Sequence, residues 1–150
     1  MPEPFEKVPE PNVVFRLVSS PSSFLPAGVA LPLPDWFVPT ETDVKAADAR
    51  GRPAGWSVFD VTRASVGEVR ALLSRPDDVA FGCSVAEIKA IGAKWARVLE
   101  VVYQPLEARA PTPGWDAHAL IEGLRRVPPV EKKNQRQLLT ELSSSFRRVE

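Results

Sequence analysis

One cysteine and one histidine are all that the 150 residues offer of those types. A lone cysteine forms no internal disulfide, and one thiol with one imidazole does not fill the four positions of a structural zinc site. Neither a metal nor a cofactor is expected. Long apolar runs are also missing: none approaches the roughly 18 residues a membrane span requires, so no membrane insertion is expected. Net charge is absent, with 19 basic against 19 acidic side chains, which argues against a surface given over to nucleic acid. The start, Met1-Pro2-Glu3-Pro4-Phe5-Glu6, lacks the basic residues and apolar stretch of a secretory signal, and a cytoplasmic location is the default.

What the chain does have is proline, unevenly spread. Ten of its 16 prolines fall within the first 53 residues. Each removes a backbone donor and restricts the residue before it, so no long helix is expected there. The same stretch carries Phe24, Leu25, Leu31, Leu33, Trp36, Phe37 and Val38, too apolar for a solvated linker. It reads as an irregular arm over residues 20–55, with 40–55 a polar surface loop, after an N-terminal tail at 1–12. Charge shifts along the chain as well. Residues 1–50 hold four basic and seven acidic side chains, and residues 121–150 hold seven basic and four acidic.

Strands are read at Val13–Val18, Trp56–Val61, Val79–Cys83, Val98–Tyr103 and Ala117–Glu122, from β-branched and alternating apolar residues. Two helix starts share one chemistry. Ser65-Val66-Gly67-Glu68 and Ser84-Val85-Ala86-Glu87 both fit the capping box, in which a serine oxygen and a glutamate satisfy orphaned backbone donors. A third helix is expected from near Pro129, with Leu138, Leu139, Leu142, Phe146 and Val149 on one face. The pattern predicts one α+β domain over 13–150, a mixed sheet of about five strands with three helices on one side of it.

Cys83 and His118 would have to carry any thiol or imidazole chemistry, with Asp60 to orient the ring. A free cysteine ending an apolar strand ordinarily serves as a small hydrophobe, and a strand histidine as a satisfied structural one. Arg16 is the sharper oddity, a cation inside an apolar strand that must find a carboxylate or an anion, or else reach water. Arg16, Ser57 and Glu122 on three strands resemble the outline of an ADP-ribosyltransferase site for NAD. The Gly-rich phosphate loop and aromatic-flanked glutamate turn of that family are missing. Catalytic residues are otherwise not assigned.

Binding is the leading expectation. Trp95 and Trp115 are candidates for exposed aromatics. The last helix pairs basic Lys132, Lys133 and Arg136 with apolar Leu142 and Phe146, suited to another protein, in particular an acidic one, with the charges steering encounter. Its further basic neighbours Arg125, Arg126, Arg147 and Arg148 suggest nucleic acid as a lesser alternative; Glu131 and Glu141 interleave with them, which favours a solvated face.

The series Val14-Phe15-Arg16, Ser57-Val58-Phe59-Asp60, Val79-Ala80-Phe81-Gly82, Ile91-Gly92, Pro105 and His118-Ala119-Leu120-Ile121-Glu122-Gly123 resembles a family of small bacterial domains of unassigned activity. Those domains share a Val-(Phe or Tyr)-Arg opening, a central Ser-Val-x-Asp and a late His-Ala-x-x-x-Gly. The resemblance spans roughly residues 13–146. It implies a self-standing bacterial domain from toxin, immunity or defence neighbourhoods and carries no reaction. The expected function is therefore a non-enzymatic bacterial protein-binding module, an adaptor, immunity or assembly component.

Overall fold

The computed structural model describes residues 3–18, 37–104, 115–127 and 129–149. The apolar run that opens the fold, β1 (Val13–Val18), is flanked by strands on both sides. It pairs along its whole length with β3 (Val79–Ser84), and at Val14↔Asp60 and Phe15↔Phe59 with β2 (Gly55–Asp60). With β4 (Glu100–Tyr103), β5 (His118–Glu122) and β6 (Arg147–Val149) the order is β4-β5-β2-β1-β3-β6. The α+β class is as expected. The sheet, however, has six strands among the described residues, every neighbouring pair antiparallel, rather than five in a mixed sheet. The reason is interleaving. β2, β3 and β4 run in one direction and are joined through helices, as in a parallel unit, but β1 separates β2 from β3 and β5 separates β2 from β4.

Among the described residues four α-helices accompany the sheet, one more than expected. The additional one, α1 (Glu41–Arg50), occupies the stretch read as a polar loop. Thr40 and Asp43 close a capping box, and Gly51 ends the helix in the left-handed region at φ 67°. Prolines 39 and 53 bracket this segment without entering it. α2 (Val66–Leu72) starts at the Ser65 box as expected. In α3 (Val85–Lys94) only half the box forms: Ser84 accepts from the Glu87 amide, while the Glu87 carboxylate takes the Cys83 thiol instead.

β1 is apolar at consecutive positions because both faces of the sheet are covered. Val14, Trp56, Phe81, Cys83, Val101 and Ile121 face one layer with Ile88 and Ile91 of α3 and Leu138 and Leu142 of α4 (Lys132–Ser145). Phe15, Leu17, Phe59 and Ala80 face the other with Val66 and Val69 of α2. The helices thus lie on both sides rather than on one.

Of the arm, residues 19–36, Trp36 included, lie outside the described residues. The remainder opens on Phe37, whose ring centre sits 4.9 Å from each of Trp56 and Phe146. α4 ends before the apolar stripe read from the sequence does. Phe146 is extended (φ −73°, ψ 123°), and Val149 pairs with Ala80 as part of β6. Upstream of β1, residues 5–8 run along the edge of β4, with Phe5 and Val8 donating to Tyr103 and Val101 carbonyls at 2.7 and 2.9 Å.

After β5 the chain turns back at Gly123. Its φ of 102° and the 2.4 Å that would separate a Cβ from the Val98 carbonyl oxygen admit only glycine. This close approach sets the β5–α4 connection beside the α3–β4 connection.

Candidate functional site

That juncture is tied by Arg97, a cation between Trp95-Ala96 and Val98-Leu99. The residue is buried. Its Nη2 donates to the carbonyls of Gly123 and, at 2.7 Å, Arg125, and its Nη1 to the side-chain oxygen of Gln135. Gln135 in turn donates to the Leu124 carbonyl at 2.9 Å. These acceptors are neutral, and burial holds the Arg97 guanidinium below its ordinary pKa. The result is a rigid brace between the β5–α4 connection and the first turns of α4.

Arg125 and Arg126 of the β5–α4 connection, Lys132, Gln135, Arg136 and Leu139 of α4, and Val38 together line a groove of about 440 Å³. All four cations are exposed, and Val38 keeps 46% of its surface in water. Among the described residues lining the groove there is no carboxylate. Arg126 is steadied by its own Nε, which donates to the Val130 carbonyl at 2.9 Å. α4 also begins differently from the other helices. Its N-cap, Glu131, makes no side-chain cap hydrogen bond and its first turn has no acid, whereas Thr40, Ser65 and Ser84 cap α1, α2 and α3 and each of those helices has an acid in its first turn. Positive side chains and the positive end of the helix dipole therefore share one place, an arrangement that favours an anionic group there.

Lys132 and Arg136 are thus in the groove, while Lys133 is exposed on α4 and does not line it. Leu142 and Phe146 are elsewhere. Both are fully buried in the principal core, Phe146 edge-on to Trp56 at 5.9 Å, so a partner docked on the folded domain does not reach them. Trp95 is half-buried against the same core, with the Lys94 ammonium 5.5 Å from its ring and its indole Nε1 buried. Trp115 opens a short 3-10 turn, Trp115–Ala117, and its side chain lies outside the described residues.

The three residues of the NAD outline do not meet. Arg16 and Ser57 line a cleft of about 200 Å³ with Leu17, Phe59, Leu73, Arg75 and His118, where the β1–β2 ladder stops after Phe15↔Phe59. The Arg16 guanidinium lies 4.6 Å from the Trp56 ring centre, and burial above all lowers its pKa. Glu122 is not part of that cleft, and its carboxylate is held by Arg52.

A thiol–imidazole pair is equally unsupported. Cys83 faces the layer of α3 and α4, whereas His118 projects from the other side of the sheet, edge-on to Phe59 at 5.4 Å. Its Nδ1 meets the Gln104 carbonyl at 2.8 Å, which makes Nδ1 the protonated nitrogen. Asp60 does not orient that ring. It accepts instead from the Tyr103 hydroxyl, from Asn12 at 3.0 Å, and from the Thr62 amide and hydroxyl at 2.9 and 2.8 Å. Burial first, and the Glu87 carboxylate second, push the Cys83 thiol far above its usual range.

Arg97 and Gln135 were not among the residues singled out from the sequence. The signal for Arg97 was present, since it interrupts an apolar stretch just as Arg16 does. Gln135 carried none. Among the described residues no group of three His, Cys, Asp or Glu side chains could hold a metal ion, and no helix is long and apolar enough to cross a membrane. No family model, no curated protein and no solved structure matches this chain.

Proposed function

We propose that the protein is a non-enzymatic protein-binding module of the bacterial cytosol, an adaptor, immunity or assembly component, which holds an acidic partner in the groove at the start of α4. One observation carries the reading: four exposed cations from two elements line one groove with Val38, Gln135 and Leu139, with no carboxylate among the described lining residues. Opposite charges across such an interface steer encounter and suppress wrong partners. Nucleic acid suits the groove less well, because among its described lining residues there is no aromatic ring on which a base could stack.

Affinity capture with the full chain tests the reading. The double variant Lys132→Glu, Arg136→Glu should lose a partner that the unmodified chain retains, while a reversal at the exposed Lys45 of α1 should not. Equal capture by all three forms would refute it.

A further inference from the structure

Residues 5–8 hold the edge of β4 by contacts that any other copy of the chain offers equally. We propose that this segment exchanges between copies, each laying its own residues 5–8 along the β4 edge of the other in a closed, two-fold symmetric dimer. The exchange goes beyond the groove at α4 and does not depend on what the groove holds.

The seat is well defined. Besides the Phe5 and Val8 amides that donate to β4, the Tyr103 amide donates to the Glu6 carbonyl at 2.8 Å, and Lys7 stands opposite Val102. Val8 is 3% exposed and belongs to the principal core, and Lys7 reaches Glu100 at 3.7 Å. The Phe5 ring lies 4.2 Å from the Arg52 guanidinium. None of these contacts involves the turn that follows the segment, so an exchanged segment keeps every one of them.

The connection to β1 is what differs between the two arrangements. Pro9-Glu10-Pro11-Asn12 forms a single turn, closed by the Asn12 amide on the Pro9 carbonyl at 3.0 Å, and both prolines are exposed. Pro11 holds the third position of this turn, where a proline biases the residue before it away from the helical region that the common turn uses. Downstream the chain is fixed. The carbonyls of Glu10 and Asn12 accept from the Ala86 and Val85 amides at 3.0 and 2.9 Å, and Lys89 Nζ lies 3.2 Å from the Glu10 carboxylate. The pivot is therefore Val8–Pro9, where the proline favours an extended Val8. A short, stiff hinge of this kind takes away the advantage that a segment otherwise has in closing on its own domain.

Release comes first in any exchange, and the segment's own start assists it. The Glu6 amide donates to the Glu3 carbonyl at 3.1 Å, which makes a turn with Pro4 second and Phe5 third. Phe5, at φ 64°, occupies the place that glycine ordinarily takes in such a turn. A side chain with a Cβ is unfavourable there, so less is lost when the segment lifts off than its contacts alone would suggest.

Disulfide trapping between chains tests the proposal. On a Cys83→Ala background, one chain carries Lys7→Cys and another carries Val102→Cys. The two positions form a non-hydrogen-bonded antiparallel pair, in which Cα atoms stand about 4.5 Å apart, within reach of a disulfide. After the two chains are incubated together at about 1 mM and oxidised with glutathione disulfide, a cross-linked heterodimer should dominate a non-reducing gel. A single chain with both substitutions, oxidised at about 10 µM, should close within itself. Internal closure with no heterodimer in the mixture overturns the proposal. The unmodified chain gives a separate reading: by light scattering the dimer share should rise between about 10 µM and about 1 mM, and a monomer throughout overturns the proposal. Inserting Gly-Ser-Gly between Val8 and Pro9 should return the dimer to monomer. A dimer that survives the insertion is held by some other surface, which overturns it as well.

Discussion

Arg52 grips Glu122 through two parallel hydrogen bonds, from Nε at 3.0 Å and from Nη2 at 2.8 Å, across 70 residues of chain. The pair fastens the segment after α1 to β5, and the Phe5 ring lies 4.2 Å from the same guanidinium. The partners are unequally buried, with side-chain exposures of 32% for Arg52 and 4% for Glu122. Arg52→Ala therefore strands a buried carboxylate and should cost about 3 kcal/mol, whereas Glu122→Gln leaves a cation that can turn to water and should cost about 1 kcal/mol. Urea denaturation of the two variants checks the order. A larger loss for Glu122→Gln would show that the carboxylate serves more than this pair.

Cys83 is expected to resist iodoacetamide for as long as the domain is folded, since the thiolate is the reacting form and burial suppresses it. A pH dependence follows. The folded thiol ionises above its ordinary value of 9.0, so the unfolded chain releases its proton first. The stabilisation is complete below that value and declines as pH rises past it, by at most about 1.4 kcal/mol per pH unit. Cys83→Ala should flatten this alkaline limb, and a series of denaturation curves from pH 7 upward reads it directly.

The apolar residues at the end of α4 should behave as core. Leu142→Ala should cost about 2–5 kcal/mol and Phe146→Ala about 3–5 kcal/mol, and deletion of residues 130–150 should abolish cooperative unfolding. A shortened chain that still melts cooperatively would contradict the packing of Phe146 against Phe37 and Trp56.

Stability and binding should separate at the groove. Replacing Lys132 by glutamate places an acid in the first turn of α4, a change that favours the helix by about 0.3–1 kcal/mol, while Arg136→Glu, beyond that turn, adds little. The melting temperature should hold or rise while capture of the acidic partner is lost. Capture by the unmodified chain should also weaken between low and physiological salt, because exposed charges are screened over about 8–10 Å.

The strands and the helices at Ser65 and Ser84 were legible because each depends on neighbours in sequence. Val13–Val18 is apolar on both faces, and a serine followed three residues later by a glutamate is a local signature. The helix at Glu41–Arg50 has its own local box at Thr40 and Asp43, but prolines on either side and the lack of an apolar stripe hid it. The end of α4 could not be read locally at all. Nothing in Ser145-Phe146-Arg147 forbids another helical turn. What stops it is distant pairing with β3, where Gly82 offers the space that Val149 fills, its Cγ2 lying 2.8 Å from where a Cβ would stand.

Lys132 and Arg136 were visible as a basic run, as were Arg125 and Arg126. That they line one groove together with Val38 was not. It depends on the turn at Gly123, the Arg97 brace and a residue some ninety positions upstream. Cys83 shows the same limit in reverse: its neighbour Glu87 looked like half of a cap, and only the folded strand reveals that it serves the thiol.

The short segment at residues 5–8 has a consequence for how the domain behaves among copies of itself. By occupying the outer hydrogen-bonding groups of β4, it leaves the opposite margin, the three residues of β6, as the sheet's other border among the described residues. If residues 5–8 were peeled away, as by a bulky fusion or a substitution such as Val8→Asp, β4 would become a bare template on which a neighbouring molecule could add a strand. Such a change is expected to appear first as growing particle size at constant helix content, a failure of solubility that precedes any failure of the fold.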